Sequence, residues 1–288
     1  MTTNEDRPRA RVPGLGPVGA ALSVDEVVRQ ASELAAAGPD VEVLDRLAGD
    51  DPMVKIDGLV AGYGRMEILH GFNLRVGRGQ ALCLIGPNGA GKSTVLHSIY
   101  GFTNIMAGRI AVDGKDVTHL SAKEKLRRAH VAYLLQDNSV FPDMTVEENL
   151  WMGGYLLEDV RETKARAEAV LEKYERLRER RKQRAGRLSG GERRLLEISR
   201  ALIMNPEVLL VDEPSIGLEP RFVDMEFAIL DQLRCDEGKT IVMVEQNAKK
   251  GLEFCDVGYL LVSGNLALAG TGDELLHHEQ VGRLFLGA

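Results

Sequence analysis

The chain has 288 residues, of which 44% are hydrophobic and 27% charged, with a formal net charge of -7. This is enough apolar material for one large globular domain or two small ones, and the acidic balance argues against general attraction to nucleic acid or anionic lipid. No apolar run approaches the roughly 18 residues of a membrane-spanning helix, and Pro13, Gly14, Gly16, Pro17 and Gly19 break up the one stretch, Val12 to Leu22, that could pass for a signal core.

The first fifty or so residues differ from the rest. After a polar segment and a Pro/Gly-rich one, Ser23 and Glu26 form a capping box ahead of Val24, Val27, Val28, Ala31 and Leu34 at helical spacing, with Gly38 as a stop. Asp40 can cap a second short helix carrying Val41, Leu44 and Leu47. Residues 1–52 read as an extension, a small docking appendage or, by preference, a loosely ordered tail, because helices this short are marginal alone. From Met53 strands take over. Val54 to Ile56 and Leu74 to Val76 alternate, Ala81 to Ile85 is a buried run, and Asp113-Gly114 between Arg109–Val112 and Val117 signals a hairpin. Another strand covers Val131 to Leu135, and one long helical stretch is expected from Val146 to about Arg184, its later part a solvated face of interspersed charges. The last third alternates strands (Val208 to Val211, Thr240 to Val244, Tyr259 to Val262) with helices, the α/β pattern of a parallel sheet. Cys83, Cys235 and Cys255 have no metal-ligand spacing and read as buried reduced thiols.

Three motifs carry chemistry. Gly86, Pro87, Asn88, Gly89, Ala90, Gly91, Lys92, Ser93 and Thr94 fit the phosphate-loop pattern between a strand and an apolar helix. Glycines let successive backbone N–H groups curl around phosphate oxygens, and the helix that follows aims its positive end at the anion. Lys92 is expected to reach the β- and γ-phosphates and Ser93 to ligate Mg²⁺. The buried strand Val208 to Val211 then runs into Asp212 and Glu213, whose side chains diverge; Asp212 suits the Mg²⁺ shell and Glu213 suits polarising an attacking water. Finally, Ser189, Gly190, Gly191 and Glu192 open a helix as a second anion-binding surface, more than one nucleotide requires of one chain.

With these motifs the sequence resembles the ABC ATPase family from about Met53 to the C-terminus. The resemblance implies an α/β cassette with a RecA-like core, an antiparallel β subdomain and a helical subdomain at about 138–188. It implies ATP and Mg²⁺ as ligands, and a head-to-tail dimer in which Leu188 to Glu192 closes over the γ-phosphate held by the other subunit. Tyr63 matches the aromatic that stacks on adenine, an ordinary strand-end tyrosine being the bland alternative. Gln136 matches the glutamine that contacts Mg²⁺ and links to the membrane subunit. Glu219 stands where the family has the aspartate of its D-loop. Gln246 replaces the γ-phosphate-sensing histidine of most members; an amide can donate a hydrogen bond but carries no proton at neutral pH, which leaves Glu213 as the main base.

Val244 to Asn247, Val140 to Leu150, Met152 to Gly154, Glu179 to Gly186 and Pro214 to Leu218 look like the ATP-binding subunits of branched-chain amino-acid importers, with urea and short-amide importers sharing much of the pattern. Such relatives commonly begin near Met53, so residues 1–52 read as an unusual extension or a misplaced start. The implied partners are a second ATPase, preferably a different one, transmembrane permeases at the cytoplasmic face of the membrane and, indirectly, a solute-binding protein; no nucleic acid is expected. Two alternatives stay open: an exporter ATPase of the lipopolysaccharide-export type, resembled by Gly191 to Arg194 and Asn138 to Phe141, and a soluble ABC ATPase of cluster assembly.

Overall fold

The computed structural model describes residues 38–135, 139–217 and 219–286. The expected helix after Ser23, and Gln136, lie outside them. The chain runs through α1 (Val41–Ala48), β1 (Pro52–Tyr63), β2 (Met66–Gly77), β3 (Ala81–Ile85), α2 (Lys92–Tyr100), β4 (Asn104–Val112), β5 (Lys115–Asp116), α3 (Ala122–Arg128) and β6 (Val131–Leu134). A helical segment follows with α4 (Val146–Gly153), α5 (Val160–Lys173), α6 (Glu175–Glu179) and α7 (Gly190–Leu202). Then come β7 (Val208–Asp212), α8 (Pro220–Cys235), β8 (Thr240–Val244), α9 (Ala248–Phe254), β9 (Val257–Val262), β10 (Asn265–Thr271) and short helical turns at 272–286.

Two sheets organise the molecule. The larger has the order β10-β9-β3-β8-β7-β6, parallel except for β10, and the smaller is antiparallel in the order β2-β1-β4-β5. Strands β3, β7 and β8 are buried at every residue, as parallel strands covered on both faces must be. Because side chains alternate across a strand, Cys83, Ile85, Leu209, Val211, Ile241 and Met243 pack toward α7, α8 and the helical segment. Leu82, Leu84, Leu210, Val242 and Val244 pack on the other face with α2 and the antiparallel sheet. Asp113 and Gly114 both take positive φ, 50° and 70°, and close the β4–β5 hairpin as their sequence signals.

The helical stretch from Val146 to Arg184 is three helices instead of one. Gly153 and Gly154 interrupt it: a Cβ at Gly153 would lie 2.3 Å from the Arg200 carbonyl oxygen, and one at Gly154 2.5 Å from Thr163 Cγ2. Asp159 then restarts the helix by accepting from the Arg161 amide at 2.7 Å. The segment closes on itself through Ala185 N–H to Met144 O at 2.8 Å.

Residues 41–48 also differ from the preferred reading as loose tail. They form a helix packed on the core, with Leu44 fully buried. Arg75 lies on the opposite side of β2 from Leu74 and Val76, yet is only 2% exposed because α1 covers it. Its guanidinium bonds Asp45 of α1 at 2.7 Å, Asp57 of β1 and the Ile56 carbonyl at 2.6 Å. A short helix is marginal in isolation, and here tertiary burial supplies what local propensity lacks. Of the cysteines, Cys83 and Cys255 are buried as expected, but Cys235 is exposed on α8. A hydrogen bond with Cys255, together with burial, pushes the Cys83 thiol well above its ordinary range.

Candidate functional site

The phosphate loop leaves β3 at Gly86 and enters α2 at Lys92. Gly86 has φ 145°, and a Cβ there would sit 2.2 Å from the Leu261 carbonyl oxygen, so no side chain fits. Gly91, at φ 99°, is the N-cap of α2, a left-handed position that suits glycine. The Lys92 ammonium is nearly buried and donates to the carbonyls of Gly86 at 2.9 Å and Pro87 at 3.1 Å. Burial lowers its pKa, an effect opposed by the charges of Glu213 and Asp212.

Strand β7 runs parallel to β8 and delivers Asp212 beside Ser93, whose hydroxyl donates to Asp212 Oδ1 at 3.2 Å. Glu213 follows with φ 48°, a left-handed conformation that costs a non-glycine residue energy and clusters at functional sites. Its amide is bound by the Val244 carbonyl at 2.8 Å, which holds the strained turn. Burial raises the Glu213 pKa, the Asp212 and Glu245 charges add to that, and Lys92 opposes it. A cleft of about 490 Å³ gathers Asn88, Lys92, Ser93, Glu213, Ile216 and Gln246. Residues far apart in the chain thus share one open, cation-bearing cavity. The hydroxyl and carboxylate of Ser93 and Asp212 are hard oxygen donors of the kind Mg²⁺ takes. Among the described residues no cluster of three His, Cys, Asp or Glu side chains could hold a metal unaided, so a Mg²⁺ bound here would take further oxygens from phosphate and water.

Tyr63, the last residue of β1, does not line this cleft. It is 41% exposed, its hydroxyl meets His97 Nδ1, and the two rings stand edge to face at 6.0 Å. The second glycine motif is elsewhere. Ser189 is the N-cap of α7 in a reciprocal capping box with Glu192, and none of Ser189, Gly190, Gly191 and Glu192 lines the cleft. Arg180 binds the Glu192 carboxylate at 2.5 Å. Gly191 rests on Phe222, whose ring a Cβ would approach to 2.4 Å.

This geometry accompanies clear kinship. Residues 69–216 match the ABC transporter family. The chain is 40% identical over 235 residues, 82% of its length, to a probable branched-chain amino acid transport ATP-binding protein, LivF, of Archaeoglobus fulgidus, covering 99% of that protein.

The chain belongs to the ABC transporter family.

It is an ATP-binding, ATP-hydrolysing subunit of that family, built as the α/β cassette its sequence resembles. A second relative, the high-affinity branched-chain amino acid transport ATP-binding protein BraG of Pseudomonas aeruginosa, is also 40% identical over 82% of this chain and 100% of its own. The lipopolysaccharide export ATP-binding protein LptB of Escherichia coli is 34% identical over 80% of this chain and 95% of its own. Among solved structures, the ADP conformation of MJ1267, an ATP-binding cassette of an ABC transporter, superposes with a TM-score of 0.72 at 26% identity, covering 83% of this chain and all of that one.

Three residues at the site were not foreseen from sequence. Tyr133, on β6, donates to Asp212 Oδ2 at 2.7 Å. His97, on α2, packs among Tyr63, Phe102 and Tyr133. Glu245, only 1% exposed, accepts from the Ser215 hydroxyl at 2.5 Å and from the Asn247 amide at 2.8 Å, tying the turn after Glu213 to the turn that carries Gln246. Glu245 directly follows the strand Thr240–Val244, but its burial shows only in the fold.

Proposed function

We propose that this subunit drives uptake of branched-chain amino acids, or of a related urea or short-amide solute, as one of a pair of ATPases beneath transmembrane permeases at the cytoplasmic face of the membrane. The names of the 40%-identical relatives support the solute class, and the export-type ATPases are more distant. One observation carries the mechanism: Lys92, Ser93, Glu213 and Gln246 line one cleft, while Ser189 to Glu192 stand outside it. The serine-headed turn is then free to meet ATP held by a companion subunit.

In this reading Tyr63 stacks on adenine, and Gly86 to Thr94 wrap the phosphates with backbone N–H groups. Ser93 and Asp212, together with Gln136, would hold Mg²⁺, which when bound would neutralise phosphate charge. Glu213 accepts a proton from water as the water oxygen attacks the γ-phosphorus; the bond to the β–γ bridging oxygen breaks and ADP leaves with that electron pair. A base is most effective when its pKa lies near the working pH, and the upward shift at Glu213 runs in that direction. Gln246 donates to the γ-phosphate without taking the proton. Such chemistry depends chiefly on positioning and charge neutralisation.

Transport is tested by deleting the gene and following uptake of radiolabelled leucine, urea and a short amide. Loss of uptake of one of them, restored by the wild-type gene but not by its Lys92→Ala form, is expected. Undiminished uptake of all three would overturn the importer reading.

A further inference from the structure

Arg194 does not line the nucleotide cleft, yet it is buried and bonded on several sides. It lies on α7, five residues beyond Ser189, and is 5% exposed. Its Nε and Nη2 donate to Glu226 Oε1 of α8 at 2.9 and 2.7 Å. Its Nη1 donates to the Leu135 carbonyl beyond the end of β6 at 2.9 Å and to Glu197 Oε2 at 3.1 Å. The other oxygen of Glu197 accepts the Ser139 amide at 2.9 Å, and Arg200, one turn further along α7, donates to the Ser139 carbonyl. Leu135 and Ser139 are the residues on either side of 136–138, so side chains of α7 hold both flanks of the segment that contains Gln136.

A buried ion pair by itself is weak evidence of anything beyond packing, since apolar residues often replace one without loss of stability. This cluster differs in what it joins. Ser189 is about 7.5 Å up the helix axis from Arg194, and Glu226 lies nearly two turns into α8, the helix that begins seven residues after Glu213. Near the starts of the two helices Gly191 already rests on Phe222. The Arg194–Glu226 pair is therefore a second, deeper point of attachment. Two attachments along a helix pair fix its relative rotation as well as its separation, and the planar guanidinium binds three acceptors in directions an ammonium cannot match.

We propose that Arg194 is a positioning residue that locks the serine-headed turn of α7 to the Glu213-bearing side of the site and, directly and through Glu197, to Leu135 and Ser139, so that these described parts move as one when the partner's nucleotide is engaged. The proposal rests on the reading of Ser189 as a surface for the companion subunit's ATP. Truncation of Arg194 should leave ATP binding to this chain's own cleft intact, because no cleft residue bonds it, and should weaken closure against the companion.

The test is the double variant Arg194→Met/Glu226→Leu, which replaces the ion pair by apolar groups of similar size and removes the ties to Leu135 and Glu197. It is measured with the companion ATPase present. Expected are a melting temperature near that of the wild type, an ATP Kd of the isolated chain within about twofold, and a loss of at least about fivefold in kcat and in ATP-driven association, the scale of coupling between connected sites. Wild-type kcat and association in the double variant would overturn the proposal and reduce the cluster to packing. Should the double variant fail to fold, Arg194→Lys keeps the charge beside Glu226 without the forked geometry, and the same two outcomes decide. Ser189→Arg is run in parallel: if it leaves ATP-driven association intact, the reading of the serine-headed turn fails; if it abolishes association and the Arg194 variants do not, the failure belongs to Arg194.

Discussion

The Tyr133 hydroxyl donates to Asp212 Oδ2 at 2.7 Å, from a strand that lies beside that of the carboxylate in the parallel sheet. Oδ1 remains turned to Ser93. The tyrosine is itself held by His97, Tyr100 and Phe102, so Asp212 inherits its orientation from an aromatic cluster. Tyr133→Phe keeps the ring and removes one hydrogen bond. It should raise the Mg²⁺ concentration for half-maximal ATP binding several-fold, by the ~1.5–3 kcal/mol of a hydrogen bond to a charged group at most, while ATP binding without Mg²⁺ stays unchanged. Superimposable Mg²⁺ titrations would show that the hydroxyl does not orient Asp212.

Glu213→Gln should lower turnover by a factor on the order of 10²–10⁴, the usual share of a general base, with ATP still bound. Gln246→Ala should cost less, because an amide that donates one hydrogen bond is easier to replace with water. Steady-state ATPase assays on both variants give the ranking, and the reverse order would make Gln246 the decisive group.

Leu44 is fully buried between α1 and the core. Leu44→Ala should therefore destabilise the protein by about 2–5 kcal/mol, read from the urea midpoint. A change below about 0.5 kcal/mol, the size of a surface substitution, would return α1 to the status of a loose tail.

Burial lowers the His97 pKa below its usual 6.5, with the Asp212 charge opposing. The folded protein thus binds this proton more weakly than the unfolded chain does. The contribution to stability is whole above pH 6.5 and is lost as pH falls through that value toward the folded pKa. Neutral His97 can also accept the Tyr63 hydroxyl at Nδ1, which the imidazolium cannot. Denaturant midpoints at pH 7.5 and 5.5 should differ more for the wild type than for His97→Gln; equal differences would remove His97 from the pH response.

Much of this protein could be read in one dimension. Phosphate-loop spacing, the all-apolar run into Asp212 and Glu213, and the serine-headed glycines are local patterns, because each piece is a strand or helix end whose backbone geometry must be met by adjacent residues. The strands were legible for the same reason: a buried parallel strand has no polar face to hide. Local grammar was less reliable in the helical segment, where Gly153, Gly154 and Asp159 divide what charge and periodicity presented as one helix.

Only the tertiary structure decided which distant residues meet. Sequence alone determined the kind of chemistry, since glycine, lysine, serine and paired carboxylates at those spacings have few other uses. It could not place Tyr133 on Asp212, Arg75 under α1, or Arg194 between α7, α8 and the ends of the Gln136 segment. Arg75 and Asp45 lie 30 positions apart, Arg194 and Glu226 32, and Tyr133 and Asp212 79, and no periodicity spans such gaps. A buried charge looks like a surface charge in sequence until the fold shows what covers it, and burial is what turns each of these side chains from a solvated ornament into a structural tie.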